Sequence, residues 1–241
     1  MVEATLTLLK TAQKQADFDS YVLIAGSSYP VKPLTELEAA LARNSEREWI
    51  ALTRVTPGSH LHKAIGRKWR MAPLLNQRNF DRRLRAFWNK VSGVLGRDLE
   101  REIGMTPYFG SQWWALSGRC VKNILDFVDS HPGFVRAYRS TWAPDELFFH
   151  TIVGNSAFGK FAIHVEENGN KTNHFSPLTQ VATDRDRYLA DSPADLELAK
   201  TTEKFFIRKV SSGHSQALLD QIDRELLHGN EASIAEPTVR A

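Results

Sequence analysis

The chain has 241 residues, 42% of them hydrophobic and 24% charged, with a formal net charge of +3 and a single cysteine. Those fractions exclude a disordered or collagen-like chain, and the length is enough for a large buried core. The lone Cys120 excludes an intrachain disulfide and a cysteine-based zinc site.

No apolar run approaches the roughly 20 residues of a membrane span, and Met1–Lys10 lacks the basic-then-apolar pattern of an export signal. The expected placement is cytoplasmic, at the inner membrane face if the protein associates peripherally with a membrane. The densest basic cluster runs from Arg78 to Arg85, with Arg67, Lys68 and Arg70 upstream. It reads as a solvated helix face, with an anion-binding groove as the lesser alternative and no nucleic-acid partner.

In chain order, Val2–Lys14 has apolar residues at near-helical spacing and no Pro or Gly, which predicts a helix. Tyr21–Ala25 is a continuous apolar run ended by Gly26, predicting a strand buried on both faces. Pro33 opens a second helix with Leu34, Leu37, Ala40 and Leu41 on one face. Trp49–Leu52 reads as a second strand, and Val55–Gln77 as a long irregular connection. Phe80–Leu95 reads as helical, and Tyr108–Leu116 as a strand or strand edge around Gly110. Arg119–Val128 has Val121, Ile124, Leu125 and Val128 in phase for a helix, broken by His131-Pro132-Gly133. Pro144 begins another helix, Phe161–Val165 is a short strand, and Asn168–Lys171 is a turn. Asp195–Lys204 is a helix leading into Phe205-Phe206-Ile207, and Gln216–Leu227 is a last amphipathic helix before a frayed tail. Strands alternating with helices predict one α/β domain.

Four segments carry candidate chemistry. In Trp142-Ala143-Pro144-Asp145-Glu146 the two acids fall in the first turn of the expected helix, among aromatic side chains. The helix dipole favours their ionised form and desolvation opposes it, a balance that suits a general base; Pro-Asp-Glu is also how an ordinary helix begins. Phe205–Lys209 ends an apolar run in Arg208 and Lys209. Such a pair can neutralise a diphosphate leaving group, or simply carry a strand out to solvent. Gly110-Ser111-Gln112-Trp113-Trp114 combines a flexible glycine, polar side chains and indoles, which suits either a sugar platform or core packing. Asp17-Phe18-Asp19 precedes a strand instead of following one, and Asp184-Arg185-Asp186 has no strand before it. His60-Leu61-His62 would put two imidazoles on one side of a strand, without a third ligand nearby. No metal site is expected. Phosphate-loop, dinucleotide and nucleophile-elbow signatures are absent, and Cys120 reads as a small core residue.

Together and in order, these segments resemble the core-2/I-branching family of glycosyltransferases (glycosyltransferase family 14), which includes branching N-acetylglucosaminyltransferases and peptide O-xylosyltransferases. Tyr21–Lys32 is similar to the family's strand and its turn before Tyr-Pro, although Ser27-Ser28 stands where the family usually has an acid. Gly110–Trp113 resembles its Gly-Ser-x-Trp segment, Pro144–Ile152 with Asn155-Ser156 its Pro-x-Glu helix, and Phe205–Lys209 its Phe-Phe-Ala-Arg-Lys ending. The resemblance implies a GT-A-like α/β fold, a mixed sheet flanked by helices. It implies inverting, metal-independent transfer of xylose or N-acetylglucosamine from a UDP-sugar donor to a glycan or other hydroxyl acceptor, with no cofactor. Glu146 would be the catalytic base. Lys209, with Arg208 as the weaker candidate, would bind the donor diphosphate, and Trp113, Gln112, Ser111 and Asp145 would face the acceptor. The family's preceding β-α-β portion, with much of its uridine pocket, would fall before Met1. The expected organisation is therefore an N-terminally truncated transferase domain over 1–210 and a C-terminal helix and flexible tail over 211–241. The competing expectation is a non-catalytic relative that binds carbohydrate or a partner protein.

Overall fold

A computed structural model describes residues 1–66, 97–167, 176–182 and 187–227. Helix α1 (Val2–Gln15) buries Val2, Leu6 and Leu9, a stripe at helical spacing that packs on the main core. Strand β1 (Ser20–Leu23) follows, then β2 (Ser28–Pro30), α2 (Leu34–Arg43) and β3 (Ala51–Arg54). Helix α3 (His60–Ile65) is capped by Ser59, whose Oγ accepts from the His62 amide.

The chain continues through α4 (Leu99–Ile103), β4 (Tyr108–Phe109), β5 (Trp114–Ser117), α5 (Gly118–Ser130) and α6 (Pro132–Tyr138). A single 3-10 turn (Pro144–Glu146) leads into α7 (Phe148–Gly154) and β6 (Ile163–His164). Next come β7 (Thr179–Val181), α8 (Pro193–Thr201), β8 (Phe206–Arg208) and α9 (Ser212–Ile222), closed by a π-turn at Asp223–Leu227.

The strands form three small sheets. Antiparallel β1 and β5 make the first; β2-β8-β7 and β4-β3-β6 each mix one antiparallel and one parallel pair. A bridge between Trp49 and Ala115 ties β5 to the segment entering β3. Pro30, which has no amide to donate, sits on the edge strand β2. The main core gathers around α5 and α7, where Cys120, Val121, Ile124, Phe148 and Val153 are 0% exposed. A second apolar cluster joins Leu189, Ile207, Leu218 and Ile222 around β8 and α9.

Several expectations are corrected. The strand at Tyr21 is not buried on both faces: Tyr21 and Leu23 pack on the core, whereas Val22 and Ile24 are 38% and 39% exposed. It is an edge strand paired only to β5 among the described residues. The connection after Val55 is not wholly irregular, because the Ser59 cap starts a helix that buries Leu61 and Ile65. On that helix His60 and His62, two positions apart, diverge instead of sharing a strand face. His131–Gly133 ends α5 but also starts α6, with Pro132 at its first position. The helix expected from Pro144 is one 3-10 turn, after which Leu147 (φ −122°) interrupts the path before α7. The strand expected at Trp49–Leu52 lies two residues later, at Ala51–Arg54, and Tyr108–Leu116 divides into β4 and β5. The expected helix at 80–95, the turn at 168–171, Asp184-Arg185-Asp186, the cluster Arg78–Arg85 and the tail from 228 lie outside the described residues.

Candidate active site

The site is organised by the packing of β4 on α7. Thr151, fully buried, accepts from the Tyr108 amide at 3.1 Å and from the Tyr138 hydroxyl at 2.9 Å, which fixes β4 against the helix that follows Glu146. One residue beyond β4, the Gly110 amide donates to the Glu146 carbonyl at 2.9 Å. Gly110 is required here, since an added Cβ would run into the Ala51 carbonyl and lie 2.6 Å from His150 Nε2.

Upstream of Glu146 the chain is clamped. Arg97, 8% exposed, donates to Glu102 at 2.6 Å, to Thr141 Oγ1 at 2.7 Å and to the Ala137 carbonyl at 2.8 Å. Trp142 stacks on Phe109 with ring centres 5.9 Å apart. Ala143 then takes a left-handed conformation at φ 42°, uncommon for a residue with a side chain, and the Glu146 amide donates to its carbonyl at 3.0 Å. Strain of this kind, held by a buried guanidinium and an aromatic stack, is a mark of functional turns. Asp145 and Glu146 both keep partial solvent exposure.

From Gly110 the segment runs to the basic pair. Ser111 Oγ accepts from the Trp113 amide at 3.2 Å, and the Arg208 guanidinium lies 5.1 Å from the centre of the Trp113 ring. Arg208 Nε also donates to Ser27 Oγ at 3.4 Å, which brings the turn before β2 to the same place. Burial lowers the proton affinity of Arg208.

Lys209 is placed differently. Its Nζ lies 4.7 Å from the centre of the Tyr188 ring, which stacks on His214, and its carbonyl accepts from the Leu189 amide. The buried Asp195 carboxylate grips Arg187 through bonds of 2.6 and 2.7 Å and the Ala190 amide at 2.9 Å, pinning the Tyr188 segment over that lysine. Arg187, first among these partners, holds the Asp195 carboxyl below the usual range. Thus the Glu146 backbone is tied to Gly110, three residues before the Trp113 that contacts Arg208, and Lys209 lies against Tyr188. Gln112 and Asp145 belong to the two segments that build the site.

Sequence reading missed His150. Its signal was an imidazole inside the apolar run Leu147–Val153, and the structure buries it completely beneath Gly110. Cys120 is a buried core thiol as expected, raised by burial and by the Glu48 carboxyl beside it. Among the described residues, no three His, Cys, Asp or Glu side chains are grouped as a metal ion would require. Nor is any helix there long and apolar enough to cross a membrane.

The turn that carries Glu146 is thus fastened, through Gly110, to the loop that carries Trp113, within a mixed α/β fold. The family model described as Core-2/I-Branching enzyme matches residues 1–176, and the chain belongs to that family of glycosyltransferases. No curated protein matches the chain. The matched span contains Glu146, Asp145 and Ser111–Trp113 and ends before Arg208 and Lys209.

Proposed function

We propose that the protein moves a sugar, xylose or N-acetylglucosamine, from a UDP-sugar to a hydroxyl acceptor with inversion, in a GT-A-like arrangement that needs no metal. The observation that carries this reading is the short link between base and cation. The Gly110 amide holds the Glu146 carbonyl, and three residues later Trp113 carries Arg208.

In an inverting displacement one base removes the acceptor proton as the acceptor oxygen attacks the anomeric carbon. Glu146, in a turn fixed by Arg97 and Trp142, has that role. The diphosphate leaves with added negative charge, and fixed cations meet it without rearranging. Arg208 and Lys209 supply them, with Arg208 nearer the loop. Trp113 offers an aromatic face to an acceptor sugar, and Ser111, Gln112 and Asp145 offer hydrogen bonds to its hydroxyls.

The test is a panel of UDP-sugars offered with glycan and hydroxyl acceptors in the presence of a chelator. Transfer of one sugar with inverted anomeric configuration is the expected result. Transfer only when a divalent cation is restored would contradict the metal-independent part.

A further inference from the structure

His150 has 0% exposure, and neither ring nitrogen has a hydrogen-bond partner of ordinary geometry. Leaving such groups unpaired in a core is costly, and most buried polar atoms avoid it. The imidazole sits four residues after Glu146 on α7, directly under Gly110, close enough that no Cβ fits between them. Gly110 in turn holds Glu146 through its amide, and Ser111 holds Trp113 through its hydroxyl. A leucine would fill that space without unpaired atoms.

We propose that His150 is a positioning residue for the Gly110–Trp113 loop: the neutral imidazole offers its ring N–H to the Ser111 backbone and sets the loop's distance from Glu146. Burial pushes the imidazole down to about 3, while the Ser111 backbone favours the proton on the ring. The ring is therefore neutral at working pH, with one nitrogen able to donate and the other able to accept. This inference rests on the proposed transferase site, and its consequences for the loop can be read without turnover.

The experiment compares the full chain with His150→Leu and His150→Gln. Three readouts are taken: melting temperature, amide hydrogen exchange at Gly110 and Trp113, and steady-state transfer. His150→Leu should melt at or above the wild-type temperature, because an apolar side chain replaces a buried imidazole whose hydrogen bonding is incomplete. Exchange at Gly110 and Trp113 should rise about tenfold or more. Where transfer is measured, kcat should fall at least about tenfold with donor KM little changed, the mark of lost alignment. His150→Gln, which retains a donor, should recover part of both losses. Wild-type exchange in His150→Leu would overturn the proposal. So would a melting temperature well below wild type, which would make the ring a packing element. If the wild-type chain transfers no sugar, the functional reading fails, while exchange and melting still decide the role of His150.

Discussion

The Arg208 guanidinium lies 5.1 Å from the centre of the Trp113 ring, joining a loop of the family-matched region to a strand end beyond it. A cation over an indole in a partly desolvated place contributes about 0.5–2 kcal/mol. A double-mutant cycle of Trp113→Ala and Arg208→Ala, read by urea unfolding, should therefore show coupling of that size. Strict additivity would place the contact among those with no energetic weight.

The same geometry orders the two cations. Calorimetric titration with UDP should show Arg208→Ala weakening binding by about tenfold or more, a charge-assisted contact being worth roughly 1.5–3 kcal/mol. Lys209→Ala, whose amine rests over Tyr188, should have the smaller effect. An equal or reversed order would shift the diphosphate toward the Tyr188 side.

Gly110→Ala should destabilise the fold by about 1–3 kcal/mol, the usual cost of overpacking. The new methyl would meet the Ala51 backbone carbonyl and the ring of the fully buried His150, so something must shift. Denaturant unfolding measures it, and a wild-type midpoint would show that the loop can move away.

Much of this fold was legible because local pattern and final packing agree. In α5 the in-phase residues Val121, Ile124, Leu125 and Val128 are all buried, with Ser117 capping the start. Failures came where tertiary contacts overrule local signals. Pro144-Asp145-Glu146 looks like a helix start, but the left-handed Ala143 and the interruption at Leu147 limit it to one turn. The apolar run at Tyr21 looks like a central strand, but alternate residues face opposite sides and only one side of β1 is covered. For the candidate site, Glu146 and Trp113 could be proposed from motifs, and the structure links their segments through the Gly110 amide. The Arg97 clamp could not, because its partner Thr141 lies 44 residues away, and neither could the separate directions taken by Arg208 and Lys209.

A buried acid gives a pH-dependent test of the scaffold. Glu48 is 1% exposed and accepts from the Ser117 amide at 2.8 Å and hydroxyl at 2.6 Å, at the start of α5. Burial raises its carboxyl above the usual carboxylate range, against the lowering pull of the Ser117 hydroxyl and amide and of Arg119. A carboxyl raised in this way holds its proton more tightly in the folded chain. Its contribution is fullest below the unperturbed value of 4.5 and is lost as pH rises through the folded value. The wild-type advantage over Glu48→Gln should therefore shrink as the pH rises above 4.5. A difference that grows with pH in urea melts would contradict the assignment.

The most direct measurement is single-turnover transfer by Glu146→Gln beside the wild-type chain, with UDP affinity and melting temperature recorded on the same samples. The amide keeps the shape and the backbone bond to Gly110 but cannot take a proton. Transfer should fall by about 10²–10⁴-fold, the usual worth of a general base, with affinity and melting unchanged. A transfer rate within about twofold of wild type would remove Glu146 from the chemistry, and the base would have to be sought elsewhere.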